Sequence, residues 1–447
     1  MSGHAALIVA FFVAANGFAL AQTRPAFTGR AHFILTIAPG YRTTEAFGEI
    51  ADLYGLQVKY YSARHGIAAV RVPLGRAPGT ARQLLAADHR VRQVEPDALM
   101  YPARQFPNDP LFPRQWALFN PANGRADVKA QEAWGITRGR SHVVIGIIDT
   151  GIDYLHPDLA AHMWINEDEV PGNGRDDDNN GYVDDVHGYD FVHRRGDPRD
   201  DHYHGTVMAG IAGAVTHNEE GIAGVMHDVS LMAVKGLGST GYGFTSDLIA
   251  CIYYAVDNGA DVINASWGSA RYTRALYDAI AYAGAHDVIF VAAAGNWRRD
   301  NDREPFYPAS YDLDNILSVA ASDSLDSLAS FSHWGAATVD LAAPGASVIS
   351  TYPGGRYVRT SGTSMAAPHV AACIGLCAAY APGLRYREHT ALVLQSVEPL
   401  FHLRGRCVSG GRLDIHRALR QSVFRRRDTR FALYYLTTAI LDQRNTR

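Results

Sequence analysis

Five short, largely apolar runs punctuate the middle of the chain: Val143 to Ile148, Ser230 to Val234, Val262 to Ala265, Val288 to Ala293 and Ile316 to Ala320. Near-continuous runs of this length suit strands buried on both faces, not the alternation of a half-solvated sheet. Between them lie longer helical stretches, among them Thr245 to Asn258 and Tyr272 to His286. Strands alternating with helices predict an α/β fold, a doubly wound, mostly parallel sheet. Ligands of such sheets sit beyond the carboxyl ends of the strands. Here those ends carry Asp149, then Gly236 onward, Ser266 and Asn296.

A different pattern precedes this unit. His32 to Ile37, Val58 to Ser62, Ala68 to Pro73 and Val91 to Glu95 read as strands. Thr43 to Tyr54, with Thr43 as its cap, and Thr80 to Asp88 read as helices. The order β-α-β-β-α-β predicts a small ferredoxin-like α+β domain. Tyr101 to Pro113 has no periodicity and marks a boundary, with a cleavage expected near residues 100–108. At the start, Ala5 to Ala15 is almost wholly apolar, and Ala19-Leu20-Ala21 closes the stretch in an A-x-A pattern, although the leader has no Lys or Arg. That reads as a secretory signal peptide over 1–21, hence a secreted protein. No later run approaches the roughly 20 apolar residues of a membrane span, so no stable membrane anchor is expected. The expected organisation is signal 1–21, small domain 22–105, large domain 106–423 and tail 424–447. The tail opens Arg425-Arg426-Arg427 and then turns apolar from Phe431 to Leu441, and no function attaches to it.

Composition changes this picture little. Hydrophobic residues make up 47% and charged residues 19% of the 447-residue chain, as in a globular protein. A net charge of −4 gives no electrostatic case for nucleic acid or an anionic membrane. Cys251, Cys373, Cys377 and Cys407 are too few for a disulfide scaffold; buried thiols and disulfides both fit them.

The candidate chemistry lies at the strand ends. Ile147-Ile148-Asp149-Thr150-Gly151 sets a carboxylate at the lip of the sheet. His204 precedes a run of small and apolar residues to Gly213 that can pack as a core helix and hold the imidazole rigidly. Ser364 lies in Gly362-Thr363-Ser364-Met365-Ala366-Ala367-Pro368-His369-Val370, where a helix from about Ser364 to Tyr380 would aim its N-terminal dipole at the reacting centre. A serine hydroxyl needs a base, histidine is that base near neutral pH, and a buried carboxylate fixes its tautomer. The tetrahedral oxyanion needs donors, which the Asn296 amide and the Ser364 N–H can supply. The order Asp, His, Ser differs from the α/β-hydrolase and chymotrypsin orders. The serine also lacks a G-x-S-x-G elbow.

The segments D-T-G-I-D at 149–153, H-G-T-V-M-A-G at 204–210, A-A-G-N at 293–296 and G-T-S-M-A-A-P-H-V at 362–370 resemble the subtilisin-like serine proteases. The resemblance runs from about Asn108 to Leu419, departing at Val207, where many members carry a second His. It implies a peptidase with a triad of Asp149, His204 and Ser364 and with Asn296 in its oxyanion hole. It implies that the small domain, whose last strand closes on Val94-Glu95-Pro96, is a propeptide that assists folding and inhibits the enzyme intramolecularly. Ser239, Thr240 and Gly241 on one side and Ser266, Trp267 and Gly268 on the other resemble the segments between which a substrate polypeptide lies as an added strand. Tyr307-Pro308-Ala309 resembles the wall of the primary specificity pocket and suggests a bulky or apolar residue before the scissile bond. Asp109, Asp158 and Asn218 fall in segments resembling the family's strong calcium site.

A second calcium loop is suggested by spacing alone. Asp176, Asp178, Asn180 and Asp184 offer oxygens at loop positions 1, 3, 5 and 9, with the Tyr182 carbonyl at 7 and Gly181 at 6. The twelfth position is His187, so the usual bidentate glutamate is missing, and a solvated acidic turn fits as well. Asn264-Ala265-Ser266 matches the glycosylation triplet but falls in an expected buried strand, so it reads as structural. Two rival functions stay open on the residues: a non-catalytic calcium-binding module on a protease-like scaffold, and a secreted esterase.

Overall fold

The computed structural model describes residues 32–72, 78–97, 106–123 and 125–422. The expected signal peptide, part of the expected cleavage region and the tail lie outside them. The chain divides into two compact units, Met1–Gln105 and Phe106–Arg447.

The first unit runs β1 (His32–Ile37), α1 (Thr44–Tyr54), β2 (Gln57–Ser62), β3 (Ile67–Arg71), α2 (Pro78–Ala87) and β4 (Val91–Pro96). Its antiparallel sheet has the order β2-β3-β1-β4, the ferredoxin-like arrangement. Phe33, Leu35 and Ile37 alternate onto one face of β1 and meet Phe47, Ile50 and Leu85. The Thr43 side chain accepts from the Ala46 N–H, and Gly55 in the left-handed region ends α1.

The second unit continues with α3 (Ala130–Trp134), β5 (Gly139–Asp149), β6 (Gly188–Asp190), α4 (His204–Gly213), β7 (Asp228–Lys235), α5 (Thr245–Asp257), β8 (Val262–Ala265), α6 (Arg274–Ala285), β9 (Ile289–Ala293) and β10 (Ile316–Ser322). Then come β11 (Leu341–Pro344), β12 (Val348–Tyr352), β13 (Arg356–Thr360), α7 (Thr363–Tyr380), α8 (Tyr386–Gln395), β14 (Glu398–Pro399) and β15 (Gly411–Arg412). The main sheet reads β14-β15-β11-β10-β9-β8-β5-β7-β6, and its pairs from β6 to β15 are parallel. After β7 the chain crosses to β8 on the other side of β5. The order therefore reverses at β5, and the crevice of a doubly wound sheet opens beyond its carboxyl end, where Asp149 sits.

The apolar runs are buried on both faces, as their lack of alternation requires. Ile145 and Ile147 join α4 and α7 in one core, while Ile148, Ile263 and Phe290 join α5 and α6 in the other. Helix α7 is apolar all round, so no face of it wants water. Among the described residues it alone is long and apolar enough in composition to cross a bilayer, contrary to the expectation of no such run. Yet 89% of it is buried inside the unit, where it serves as a core helix. Cys251, Cys373, Cys377 and Cys407 are all buried and unpaired.

Candidate active site

Strand β5 ends by placing Asp149, fully buried, under the first turn of α4. One Asp149 carboxylate oxygen accepts from the Thr150 N–H, and both lie 2.8–3.0 Å from His204 Nδ1. Nδ1 therefore donates, and Nε2 is left as the basic nitrogen. Burial disfavours the imidazolium, but the charge and hydrogen bond of Asp149, with Asp200 behind it, hold His204 above its ordinary value. Gly205 lets α4 come this close: a Cβ there would meet the Gly151 carbonyl oxygen.

Asp200 organises the helix start. Its oxygens accept from the His202, Tyr203 and Thr206 N–H groups and from the Thr150 and Thr206 hydroxyls. Thr150 Oγ1 in turn accepts from the Gly205 N–H. Lys235, buried at the end of β7, donates to the Thr150 and Leu237 carbonyls and to Asp201. These contacts leave the backbone around Asp149 without slack.

Ser364 is the second residue of α7. Its Oγ donates to the Ser266 carbonyl at 3.1 Å, and Ser266 Oγ donates back to the Ser364 carbonyl at 2.9 Å. That carbonyl is free because Pro368, four residues on, has no N–H to offer it. The same cleft is lined by His204, Ser266, Trp267, Gly268, Asn296 and Ser364. In this resting arrangement the serine is held by Ser266 rather than by the imidazole.

Asn296 follows β9. Its Oδ1 accepts from the Thr363 N–H at 2.8 Å and from the Thr363 hydroxyl at 3.0 Å. The same hydroxyl accepts from the Gly295 N–H. With the oxygen so fixed, the amide Nδ2 is the group presented to the cleft. Gly295, at φ +117°, lies flat on the His333 ring, and a Cβ there would come within 2.5 Å of Nδ1. His333 is clamped in turn by Asn301, and burial beside Arg299 pushes it down to about 4, so the ring is neutral.

Not every expected substrate residue faces the cleft. Gly241, Trp267 and Gly268 line it, and Trp267 Nε1 is tied to the Ile148 carbonyl. Ser239 and Thr240 are not among its lining. Tyr307 packs away, on Tyr272 and Tyr311, while its neighbour Phe306 faces the cleft. Asn264 of the glycosylation triplet is fully buried and donates to Ser266.

The acidic loop is also rearranged relative to its spacing. Asp178 converges with Glu169 and Asp185, their ligand oxygens all within 4.8 Å of one another. Asn180 and Asn166 donate to Asp178 and Asp185. Asp176 instead accepts from the Asn180 and Gly181 N–H groups, and Asp184 from those of Asn173 and Gly174. Tyr182 sends its ring against Tyr254 and Phe191. Glu169 and Asp185 were missed because they stand outside the regular spacing; their closeness to the acidic run was the available signal. Asp109, Asp158 and Asn218 do meet: Asn218 donates to Asp158, and Asp109 accepts from the His217 N–H.

The fold and this cleft define a class. A family model described as the subtilase family matches residues 140–419, and the chain belongs to that family. Among its relatives, the thermophilic serine proteinase of Bacillus sp. (strain AK1) is 41% identical over 288 residues, covering 64% of this chain and 63% of that protein. Thermitase of Thermoactinomyces vulgaris is 40% identical over 273 residues, covering 61% and 85%. Halolysin of Haloferax mediterranei is 36% identical over 321 residues, covering 70% and 55%.

Proposed function

We propose that the chain is a secreted serine endopeptidase made as a zymogen. The observation that carries the reading is the convergence of Asp149, His204, Ser364 and Asn296 on one cleft at the sheet's switch point. Ser364 Oγ attacks the scissile carbonyl carbon while its proton passes to His204 Nε2. The oxyanion is met by Asn296 Nδ2 and the Ser364 N–H. Collapse breaks the C–N bond, the amine leaves with the proton from His204, and water, deprotonated by the same nitrogen, hydrolyses the acyl-enzyme. The substrate polypeptide lies extended between the 239–241 and 266–268 segments.

The first unit is the propeptide in this reading, supported by its ferredoxin-like sheet ending at Pro96. Secretion is supported by the apolar leader and its A-x-A end.

Calcium is held at two places. At one, Glu169, Asp178 and Asp185 supply carboxylates; burial pushes Asp185 up, a cost that a divalent cation relieves. At the other, Asp109 and Asp158 share a buried spot with Asn218, and burial, with Asp158 nearby, raises Asp109 despite N–H donors. Their role is to brace the loops that carry them.

The test is Ser364→Ala together with labelling of the parent by a phosphonofluoridate. The parent reacts at Ser364 and hydrolyses casein, and the variant does neither and keeps its N-terminal unit attached. Casein hydrolysis at the parent rate by Ser364→Ala overturns the reading.

A further inference from the structure

We infer that Phe306 closes the pocket for the residue whose carbonyl is attacked, so that the enzyme cuts after small side chains such as Ala, Ser or Gly. The inference rests on the peptidase reading and narrows its substrate class. It opposes the bulky residue suggested by the sequence around Tyr307.

The position of that pocket follows from the reaction centre. A carbonyl placed against Ser364 Oγ, with its oxygen toward Asn296, leaves one way for the attached side chain. It must enter the gap between the backbone of Ser266–Gly268 and that of Ala293–Asn296. Both stretches line the cleft, and Phe306 lines it with them.

The Phe306 ring reaches both sides of this gap. On one side it lies against Gly268: a Cβ added there would fall 2.5 Å from Phe306 Cε1 and 2.9 Å from Cζ. On the other it meets the Trp297 ring edge-on at 5.6 Å and the His333 ring at 5.4 Å. His333 is the ring on which Gly295 rests. A single phenyl group thus spans from one wall to the support of the other. Only 8% of Phe306 remains exposed.

The ring is held there by its backbone. Tyr307 and Ser269 exchange two N–H···O bonds of 2.7 Å, so the segment that carries Phe306 is bridged to the wall that follows Gly268. The Phe306 N–H donates to Ser310 Oγ. Swinging the ring out would expose its face to water and break its packing on Trp297 and His333. The whole cleft, including its far end at His202 and Tyr242, measures about 230 Å³.

The experiment uses the secreted, processed chain and tetrapeptide p-nitroanilides that differ only in the last residue: Gly, Ala, Val, Leu and Phe. The parent prefers Ala to Phe by at least about tenfold in kcat/KM, with the loss growing from Val to Phe, the span a pocket clash gives. Phe306→Ala reverses the Ala-to-Phe ratio, and Phe306→Leu moves it part of the way. A parent that prefers Phe or Leu overturns the inference, as does a ratio unmoved in both variants. Should neither variant fold, the parent series alone decides. Hydrolysis of none of the five by a chain whose Ser364 takes the phosphonofluoridate overturns the pocket assignment; an unlabelled Ser364 overturns the peptidase reading and this inference with it.

Discussion

Thr363→Val tests how the oxyanion donor is held. The substitution keeps the branched shape and deletes one hydroxyl. That hydroxyl accepts from the Gly295 N–H at 3.1 Å and donates to Asn296 Oδ1 at 3.0 Å. The Thr363 N–H still donates to Oδ1 at 2.8 Å, so the amide keeps one of its two anchors. A side-chain oxyanion donor contributes about 2.7–4 kcal/mol to the transition state, a magnitude measured on subtilisin and adopted here. Loss of one of two anchors should forfeit about 1–2 kcal/mol of that, or roughly 5- to 30-fold in kcat. The buried Gly295 N–H, left without a partner, should separately cost about 1–3 kcal/mol of stability. Steady-state kinetics on an Ala-anilide read the first effect and thermal unfolding the second. Thr363→Ser restores the hydroxyl and should recover kcat to within about threefold of the parent. A Val variant with kcat within about twofold of the parent refutes the argument, as does a loss confined to KM.

Three further outcomes follow from the same contacts. Because Asp149 holds His204 above 6.5 and the base must be neutral, kcat/KM should rise with pH through an apparent pKa above 6.5; a limb below it contradicts the pairing. Burial raises the Asp340 carboxyl from 3.8 to about 6, so the native state binds the extra proton between these values, and the stability this contributes at low pH is lost as pH rises through 6. Asp340→Asn, which can still accept from the Ser318 N–H, should therefore raise stability at pH 8 by roughly 2–3 kcal/mol and little at pH 4, read from urea midpoints; destabilisation at pH 8 is the opposing result. Stripping calcium with a chelator should lower the Tm, by the equivalent of about 2.7 kcal/mol where free calcium had stood at a hundred times Kd, and the drop should be smaller in Asp178→Asn; an unchanged Tm removes calcium from the Glu169 cluster.

Much of this was legible in the chain because its signals are local. The unbroken run into Asp149 required a strand buried on both faces, and a carboxylate could follow only at its end. The small residues after His204 foretold a helix able to pack against β5. What stayed hidden depends on direction in space. Glu169 and Asp185 join Asp178 while Asp176 and Asp184 accept from loop N–H groups, an arrangement that regular spacing does not encode. Tyr307 and Phe306 are neighbours on a bridged segment, so their side chains leave on opposite faces, and it takes the pairing with Ser269 to show which one lines the cleft. Thr363 stood inside the serine motif, but its part as the hinge pin of Asn296 needed the loop after β9 to be seen beside it.

Helix α7 sets a timetable for synthesis. Most of its seat, β5, β8, β9, β10, β11 and α4, precedes it in the chain, while α8 and residues 413–419, which share its core, follow. In the proposed mechanism the acid Asp149 and the base His204 are thus synthesised well before the nucleophile Ser364, which arrives only with this helix. A chain cut before residue 363 loses both the proposed nucleophile and the buried helix that fills the core between β5 and β11, so it should neither fold nor hydrolyse peptides.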